Sequence, residues 1–358
     1  MSKVKNVIFR TKLIGSGIVN FDSSEQRFMY NGTKLNHMKT MHENTSYAKK
    51  NFYENGEDLS YKITISSDCL RHDIFKEDMP IQSPNILNHE HVLYSFIASP
   101  ASIIRGYLFA SKTETLKRKG ALTITDAEQT CNAVSHIETF SRSGLKNDDK
   151  DKTDNSFYKK EVIGNIKYAA VGNIDLMGLQ FISCDKVFDR FSFNPDMIGI
   201  YKGFLKTKMP SFDGDLGYYQ IKGSSIEIPE LGLLLSNDNV IILVKELFKR
   251  VLALNIQRKG SFAKVNQLEY KLVYDVIEDT FESEDGWVTL SSLNDIEDIN
   301  FDVEEFYVVE DLAKAETKRT QIETDYENRK TADAEKKAEK KAATTAAKSK
   351  KTKTSEGE

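Results

Sequence analysis

The hydrophobic and polar positions divide the chain into recognisable elements. Val7–Phe21 (VIFRTKLIGSGIVNF) alternates apolar and polar residues until Gly15 and Gly17 interrupt, which predicts a strand with a bend or bulge. Residues 22–59 are polar and read as an excursion. Leu59–Ser66 is a short strand running into SDCLRHDIF, where Leu70, Ile74 and Phe75 fall at helical spacing behind a Ser67 or Asp68 cap. His91–Ser111 is helical in pattern, with Pro100 forcing a break or restart. Leu116–Ala127 is a basic turn entering a strand. Residues 141–160 are almost wholly polar and predict an exposed loop or hairpin, and Glu161–Leu176 returns to a strand pattern. Residues 195–235 carry Gly and Pro turn signals between short apolar runs. Asn239–Ile256 is the clearest helix. Val240, Val244, Leu247, Val251 and Leu254 mark one face, Asn237 and Asp238 are cap candidates, and Arg258-Lys259-Gly260 is expected to close it. Gln267–Val276 reads as a strand. No internal repeat is visible.

Composition narrows the class. Of 358 residues, 39% are hydrophobic and 29% charged, which is enough apolar material for a real core and excludes a fully disordered chain. No run approaches the ~18 consecutive apolar residues of a membrane helix, and the opening MSKVKNVIFRTKLIG has no signal-peptide core. Three cysteines, Cys69, Cys131 and Cys184, lie far apart without a CxxC pair. That fits a reducing cytoplasm and argues against a structural zinc site.

The net charge of −4 conceals a segregation. Residues 272–313 hold 14 acidic side chains and no Lys or Arg, residues 314–358 hold 13 basic and 9 acidic, and residues 1–271 hold 37 basic and 31 acidic. A mildly acidic average therefore does not exclude a nucleic-acid partner. The last segment has no sustained apolar heptad and reads as a charged tail, disordered or helical, with nothing to pack onto the body.

Candidate chemistry points the same way. His89-Glu90-His91 lacks the HExxH spacing of a metal site, the GSG at 15–17 is not followed by the Lys-Ser/Thr of a phosphate loop, and no GxSxG occurs. No catalytic residue, metal site or cofactor is expected. Four basic-polar stretches are more informative. Ser66-Ser67-Asp68-Cys69-Leu70-Arg71-His72 joins a strand to a helix N-terminus, a place that can hold phosphate, with Ser66, Ser67 and Arg71 facing it. Lys117-Arg118-Lys119-Gly120 is a basic turn. The 141–160 segment carries Arg142, Lys159 and Lys160. Gln257–Lys264 places Arg258, Lys259, Ser261, Phe262 and Lys264 in one stretch, where cations contact phosphate and an interleaved aromatic stacks a base.

Those stretches carry a resemblance. Strand–SSDCLRH–helix resembles the S-S-Q-x-L-K-R element of the backbone subunits that coat CRISPR RNA in class 1 Cascade complexes, of the RAMP superfamily. KRVLALNIQRKGSFAKVNQLEY is similar to that family's A-L-A … G-K-Q-x-S-F-A segment, FYKKEVIGNIKYAAVGNIDL to its strand after the thumb, and KRKGALTITDA to the turn and strand before it. The order and rough spacing agree over about residues 60–276, and the likeness leans to the variant type I-F system. Asp68 departs from the pattern, where the family often has Gln, and 22–59 and the tail have no counterpart.

The resemblance implies an α+β fold: a modified RRM/ferredoxin-like palm over 1–313, with a thumb hairpin at 141–160 and helical regions inserted. It implies a non-catalytic, cytoplasmic RNA-binding subunit. Its partners would be CRISPR RNA, further copies of itself head to tail, other Cascade subunits and target DNA through the guide, with no membrane partner. Two other classes remain open. One is a RAMP-type endoribonuclease, using His72 or His136, or a metal at Asp148, Asp149 or Asp151. The other is a general single-strand coat protein.

Overall fold

The structure, a computed structural model, describes residues 3–17, 19, 26–30, 33–37, 64–76, 90–110, 115–131, 134–146, 149–186, 190–225, 228–258, 261–275, 280–322 and scattered positions to 336; at 26–30, 33–37, 134–146 and 149–163 it describes the backbone alone. In chain order the strands are β1 (Asn6–Ser16), β2 (Gln26–Tyr30), β3 (Thr33–His37), β4 (Thr64–Ile65), β5 (Tyr107–Ala110), β6 (Thr115–Arg118), β7 (Leu122–Ile124), β8 (Ala127–Gln129), β9 (Val134–Lys146) and β10 (Asp149–Gly164). They continue with β11 (Ile166–Asp175), β12 (Phe181–Asp185), β13 (Arg190–Phe191), β14 (Leu216–Ile221), β15 (Glu230–Leu234), β16 (Asn255–Arg258), β17 (Ser261–Val273), β18 (Val288–Leu290) and β19 (Tyr307–Val309). The helices are α1 (Ser67–Phe75), α2 (Glu90–Ile97), α3 (Pro100–Arg105), α4 (Leu176–Gln180), α5 (Ile198–Lys208), α6 (Asn237–Leu252) and α7 (Leu293–Glu297), and residues 312–322 are also helical.

The fold is mixed α and β with antiparallel sheets. An eight-stranded sheet runs β16-β17-β1-β11-β8-β4, with β18 beside β17 and β7 beside β11. A five-stranded sheet runs β13-β12-β15-β14-β19. β1 lies at the centre of the larger sheet, paired over nearly its whole length with β11 and β17. Its Val7, Phe9, Thr11 and Leu13 face the core, where Phe9 meets Phe248 of α6 edge-on at 6.0 Å. This is the expected alternation, while the irregularity expected at Gly15 and Gly17 lies earlier, as a register shift between Lys12 and Leu13. Gly15 is required further along, since a Cβ there would lie 2.4 Å from the Phe262 carbonyl.

Several boundaries differ from expectation for local reasons. Ser66, rather than Ser67 or Asp68, caps α1, with its hydroxyl accepting from the Cys69 amide. Pro100 restarts rather than breaks: it occupies the first position of α3 behind a Ser99 cap, where a missing N–H costs nothing. The helix α6 ends at Leu252, with Lys249 and Arg250 in its last turn, so Arg258 does not close it and lies instead in β16. The turn-rich stretch 195–235 contains a full helix, α5, whose Tyr201 and Leu205 are buried. The 141–160 segment lies within the long hairpin β9–β10, and the 22–59 excursion includes a hairpin, β2–β3, that packs beside β10.

The segment after 313, expected to have nothing to pack onto the body, is anchored at its start. Ala315 is fully buried. The Arg319 guanidinium grips the Asp185 carboxylate through both terminal nitrogens, bonds the Pro229 carbonyl at 3.2 Å, and lies 5.2 Å from the Tyr218 ring centroid. An ion pair can dock a helix that lacks an apolar stripe, which hydrophobic patterning does not register. Among the described residues no helix is long and apolar enough to cross a membrane.

Candidate nucleic-acid interface

The helix α1 starts at the β4 edge of the larger sheet. Its N-terminus is already occupied. The Ser66 hydroxyl accepts from the Cys69 amide at 3.3 Å, and the Asp126 carboxylate accepts from the Ser67 amide at 2.7 Å. These are the amides a phosphate would need, and a carboxylate already held there would repel it. Ser66 and Ser67 therefore cap and start the helix, and the expected phosphate site at this terminus is corrected. Arg71, one turn on, is different. Its Nη2 donates to the Arg105 carbonyl at 3.2 Å, while its Nε is buried without a partner.

Arg105, the last residue of α3, is the Arg71 neighbour that sequence reasoning missed. Burial and the adjacent Arg71 charge push its guanidinium below the usual arginine value. The Arg71 charge thus bears on Arg105, and an anion nearby would offset it. The turn Lys119-Gly120 closes the other side. A Cβ at Gly120 would lie 2.3 Å from the Arg105 carbonyl oxygen and 3.5 Å from Arg71 Nη2, so only glycine fits. Gly106, at φ +78°, completes this close approach of two chain segments. The first and second basic stretches thus meet at one place. Lys119 is exposed beside it and Lys117 half-buried.

Arg118, between those lysines, goes elsewhere. It is 9% exposed and donates to the carbonyls of Ile103 at 3.0 Å, Phe181 at 3.0 Å and Gly178 at 2.8 Å. It ties α3, α4 and β12 together. The expectation of Arg118 as an RNA contact is corrected to a structural one, because the alternation of β6 turns residue 118 inward.

The fourth stretch divides in the same way. Arg258 donates to Asp73 of α1 at 2.7 Å, and the Asp73 side chain is 2% exposed. This pair ties the end of β16 to α1. Lys259 lies outside the described residues. Ser261 faces the core, with its hydroxyl buried and unpartnered, so it does not share a surface with Phe262 and Lys264. Those two point to the opposite face of the sheet. Phe262 is 41% exposed and pairs with Ser16, and Lys264 pairs with Ile14, which pairs in turn with Lys167 of β11. Directly paired residues share a face, so the exposed Lys264 and Lys167 flank Ile14 with Cα atoms about 10 Å apart, and exposed Lys12 lies two residues along β1.

Farther along this face Arg10 is neutralised. It pairs with Glu269 at 2.6 Å and forks onto Glu284 at 3.0 and 3.1 Å, and Trp287 stacks on it at 4.5 Å. The alternation in VIFRTKLI could have shown that Arg10 and Lys12 share a face opposite Val7, Phe9 and Leu13. No local pattern could have shown Lys167 beside them.

Arg142 lies on β9 opposite Ser156, and Lys159 and Lys160 lie on β10 opposite Thr139 and Glu138. Their side chains lie outside the described residues, as do those of His136, Asp149 and Asp151 and all of Asp148. His72 is exposed in the last turn of α1. Among the described residues no group of three or more His, Cys, Asp or Glu side chains is placed to hold a metal ion.

The family model described as Type I-Fv CRISPR-associated protein Cas7fv-like matches residues 3–281. This chain belongs to the Cas7fv-like family. The resemblance in the four stretches and its leaning to the type I-F variant are thereby shown. No curated protein matches the Cas7fv-like chain. Among solved structures, a chain titled "CRISPR RNA-guided surveillance complex" is similar at 9% identity and TM-score 0.33, covering 74% of this chain and 68% of its own. Another, titled "CRISPR RNA-guided surveillance complex, pre-nicking", is similar at 10% identity and TM-score 0.29, covering 74% and 77%.

Proposed function

We propose that this chain is a non-catalytic RNA-binding subunit that lines up in several copies along CRISPR RNA, forms the backbone of a surveillance complex with other subunits, and leaves the guide bases able to pair with target DNA. The larger sheet with α1, α3 and α6 is the palm of an RRM-like fold, and β9–β10 is the thumb. Family membership supports the CRISPR setting. One observation carries the chemistry: Arg71 donates to the Arg105 carbonyl and keeps its Nε buried and unpartnered, at a glycine turn next to exposed Lys119. A phosphodiester supplies the acceptor that the Arg71 Nε lacks. The second cationic area, Lys12, Lys167 and Lys264 with Phe262, offers charge and a ring to an unpaired strand. Heterologous contacts between copies give an open array when the rotation does not close.

Binding of a labelled single-stranded guide, followed by anisotropy at several salt concentrations, tests the proposal. Arg71→Ala and Arg105→Ala should each weaken binding and reduce the slope of log K against log salt by ~0.7. Unchanged affinity and slope in both variants would remove the arginine pair from the RNA.

A further inference from the structure

A cavity of about 450 Å³ opens where the ends of β6 and β11 meet β12, β13 and β19, across the Lys119-Gly120 turn from the arginine pair. Lys117, Lys119 and Arg190 reach it, and Arg118, fixed by its three carbonyls, adds a charge that cannot swing away. Phe181 and Tyr307 form an aromatic wall, with ring centroids 4.7 Å apart and planes at 31°. The nearby acids are engaged: Asp175 accepts from the Gly178 amide at 2.9 Å, and Glu230 pairs with Arg190 at 3.3 Å. Lys117, Lys119 and the carbonyl-bound Arg118, with Arg190 shared with Glu230, and an aromatic wall therefore face one concave space of small-molecule size.

We infer that this cavity holds one nucleotide unit, with its phosphate against Lys117, Lys119 and Arg190 and its base against Tyr307. Phosphate and a π-face are the two chemistries that cations and tyrosine recognise together. Gly120 joins this cavity to the arginine pair. It lines the cavity, while on its other side the space its missing Cβ would fill lies 3.5 Å from Arg71 Nη2. The cavity and Arg71 thus lie at the same glycine turn. The inference deepens the RNA-binding reading and rests on it for the source of the nucleotide; a free nucleoside monophosphate carries the same chemistry. Tyr307 lies beyond residues 3–281, so one wall comes from outside the part of the chain that matches the family.

The test is calorimetric titration of the full chain with adenosine monophosphate and with uridine monophosphate, alongside a short single-stranded RNA carrying 4-thiouridine for crosslinking. Lys117→Ala, Arg190→Gln and Tyr307→Leu should each weaken binding about tenfold, with Lys202→Ala, whose ammonium pairs with Asp215 outside the cavity and both cationic areas, as the control. Melting curves check folding, and Arg190→Gln carries the result if Tyr307→Leu fails to fold. Loss of monophosphate binding in the variants supports a free nucleotide as ligand. An effect confined to the RNA, with crosslinks to the Tyr307 peptide, supports a unit of the strand. If wild type binds neither monophosphate and the variants leave RNA affinity and crosslinks unchanged, the cavity inference is overturned; Arg71→Ala weakening RNA in the same series would leave the RNA-binding reading standing. Monophosphate binding that the variants abolish, in a chain with no affinity for RNA, would overturn that reading and keep the cavity.

Discussion

Arg118 and Arg71 lie on opposite sides of one glycine turn and have opposite fates. Arg118 is enclosed and gives three N–H groups to three carbonyls. Arg71 is partly enclosed, spends one N–H on the Arg105 carbonyl, keeps a buried Nε without a partner, and its charge helps to hold the Arg105 guanidinium below the usual arginine value. A buried guanidinium that finds backbone acceptors welds elements together. One that does not leaves a buried donor unsatisfied. The difference lies in whether loose carbonyls converge at that point, as they do at the ends of α3 and α4 around Arg118.

Four experiments bear on that contrast, the largest effect first. Arg118→Ala should leave three buried carbonyls without their donor and cost roughly 3–5 kcal/mol, lowering the melting midpoint by many degrees; a shift of a degree or less would end the structural assignment. Arg319→Ala should cost roughly 2–3 kcal/mol, less because Arg319 remains 12% exposed while the Asp185 carboxylate it leaves behind is fully buried. A chain ending at 311 should melt as low as that variant, whereas one ending at 322 should melt like the full chain. Equal midpoints for the two truncations would show that the 312–322 helix does not dock.

Smaller still is the expected effect of Arg105→Ala on stability. Removing one of two adjacent like charges should leave the midpoint within about 1 kcal/mol of wild type, while RNA affinity falls. Stability and affinity falling together would place Arg105 in the Arg118 class. The last test uses pH. Burial, reinforced by the neighbouring Asp185 charge, pushes the Cys184 thiol up to about 12. The folded state therefore holds a proton that the unfolded chain sheds near 9. This contribution to stability is fully present below pH 9 and disappears as pH rises toward 12. Cys184 should accordingly resist alkylation at pH 8 in the folded chain and react once it is unfolded, as mass spectrometry of the labelled peptides would show. Rapid labelling of the native protein at that pH would contradict the enclosure of β12.

Legibility in the sequence followed the range of the interaction. The helix α6, the start at Pro100 and the alternation of β1 are encoded by neighbours within a few residues, and each appeared close to its expected position. The helix α5 was hidden by the Gly and Pro signals around it, although its buried Tyr201 and Leu205 lie four residues apart. Arg258 follows α6 in sequence, as a helix-closing cation would, but its partner Asp73 lies 185 residues earlier.

The site shows the same division. Residue type and spacing alone marked Arg71, Lys119, Phe262 and Lys264 as exposed or poised cations and an aromatic, and the same residues carried the family likeness. They could not separate Arg118 from Lys117 and Lys119, or Ser261 from Phe262, because a strand sends alternate side chains to opposite faces and the depth of each face depends on what packs there. The sequence by itself determined the local elements, the charge segregation and the family. Only the tertiary structure decided which cations are consumed and which remain available: it brought Arg105 to Arg71, Lys167 to Lys264, Tyr307 to Phe181 and Arg319 to Asp185. Those pairings join strands and helices distant in sequence, and whether a buried charge is satisfied depends on carbonyls and carboxylates that only the folded chain assembles.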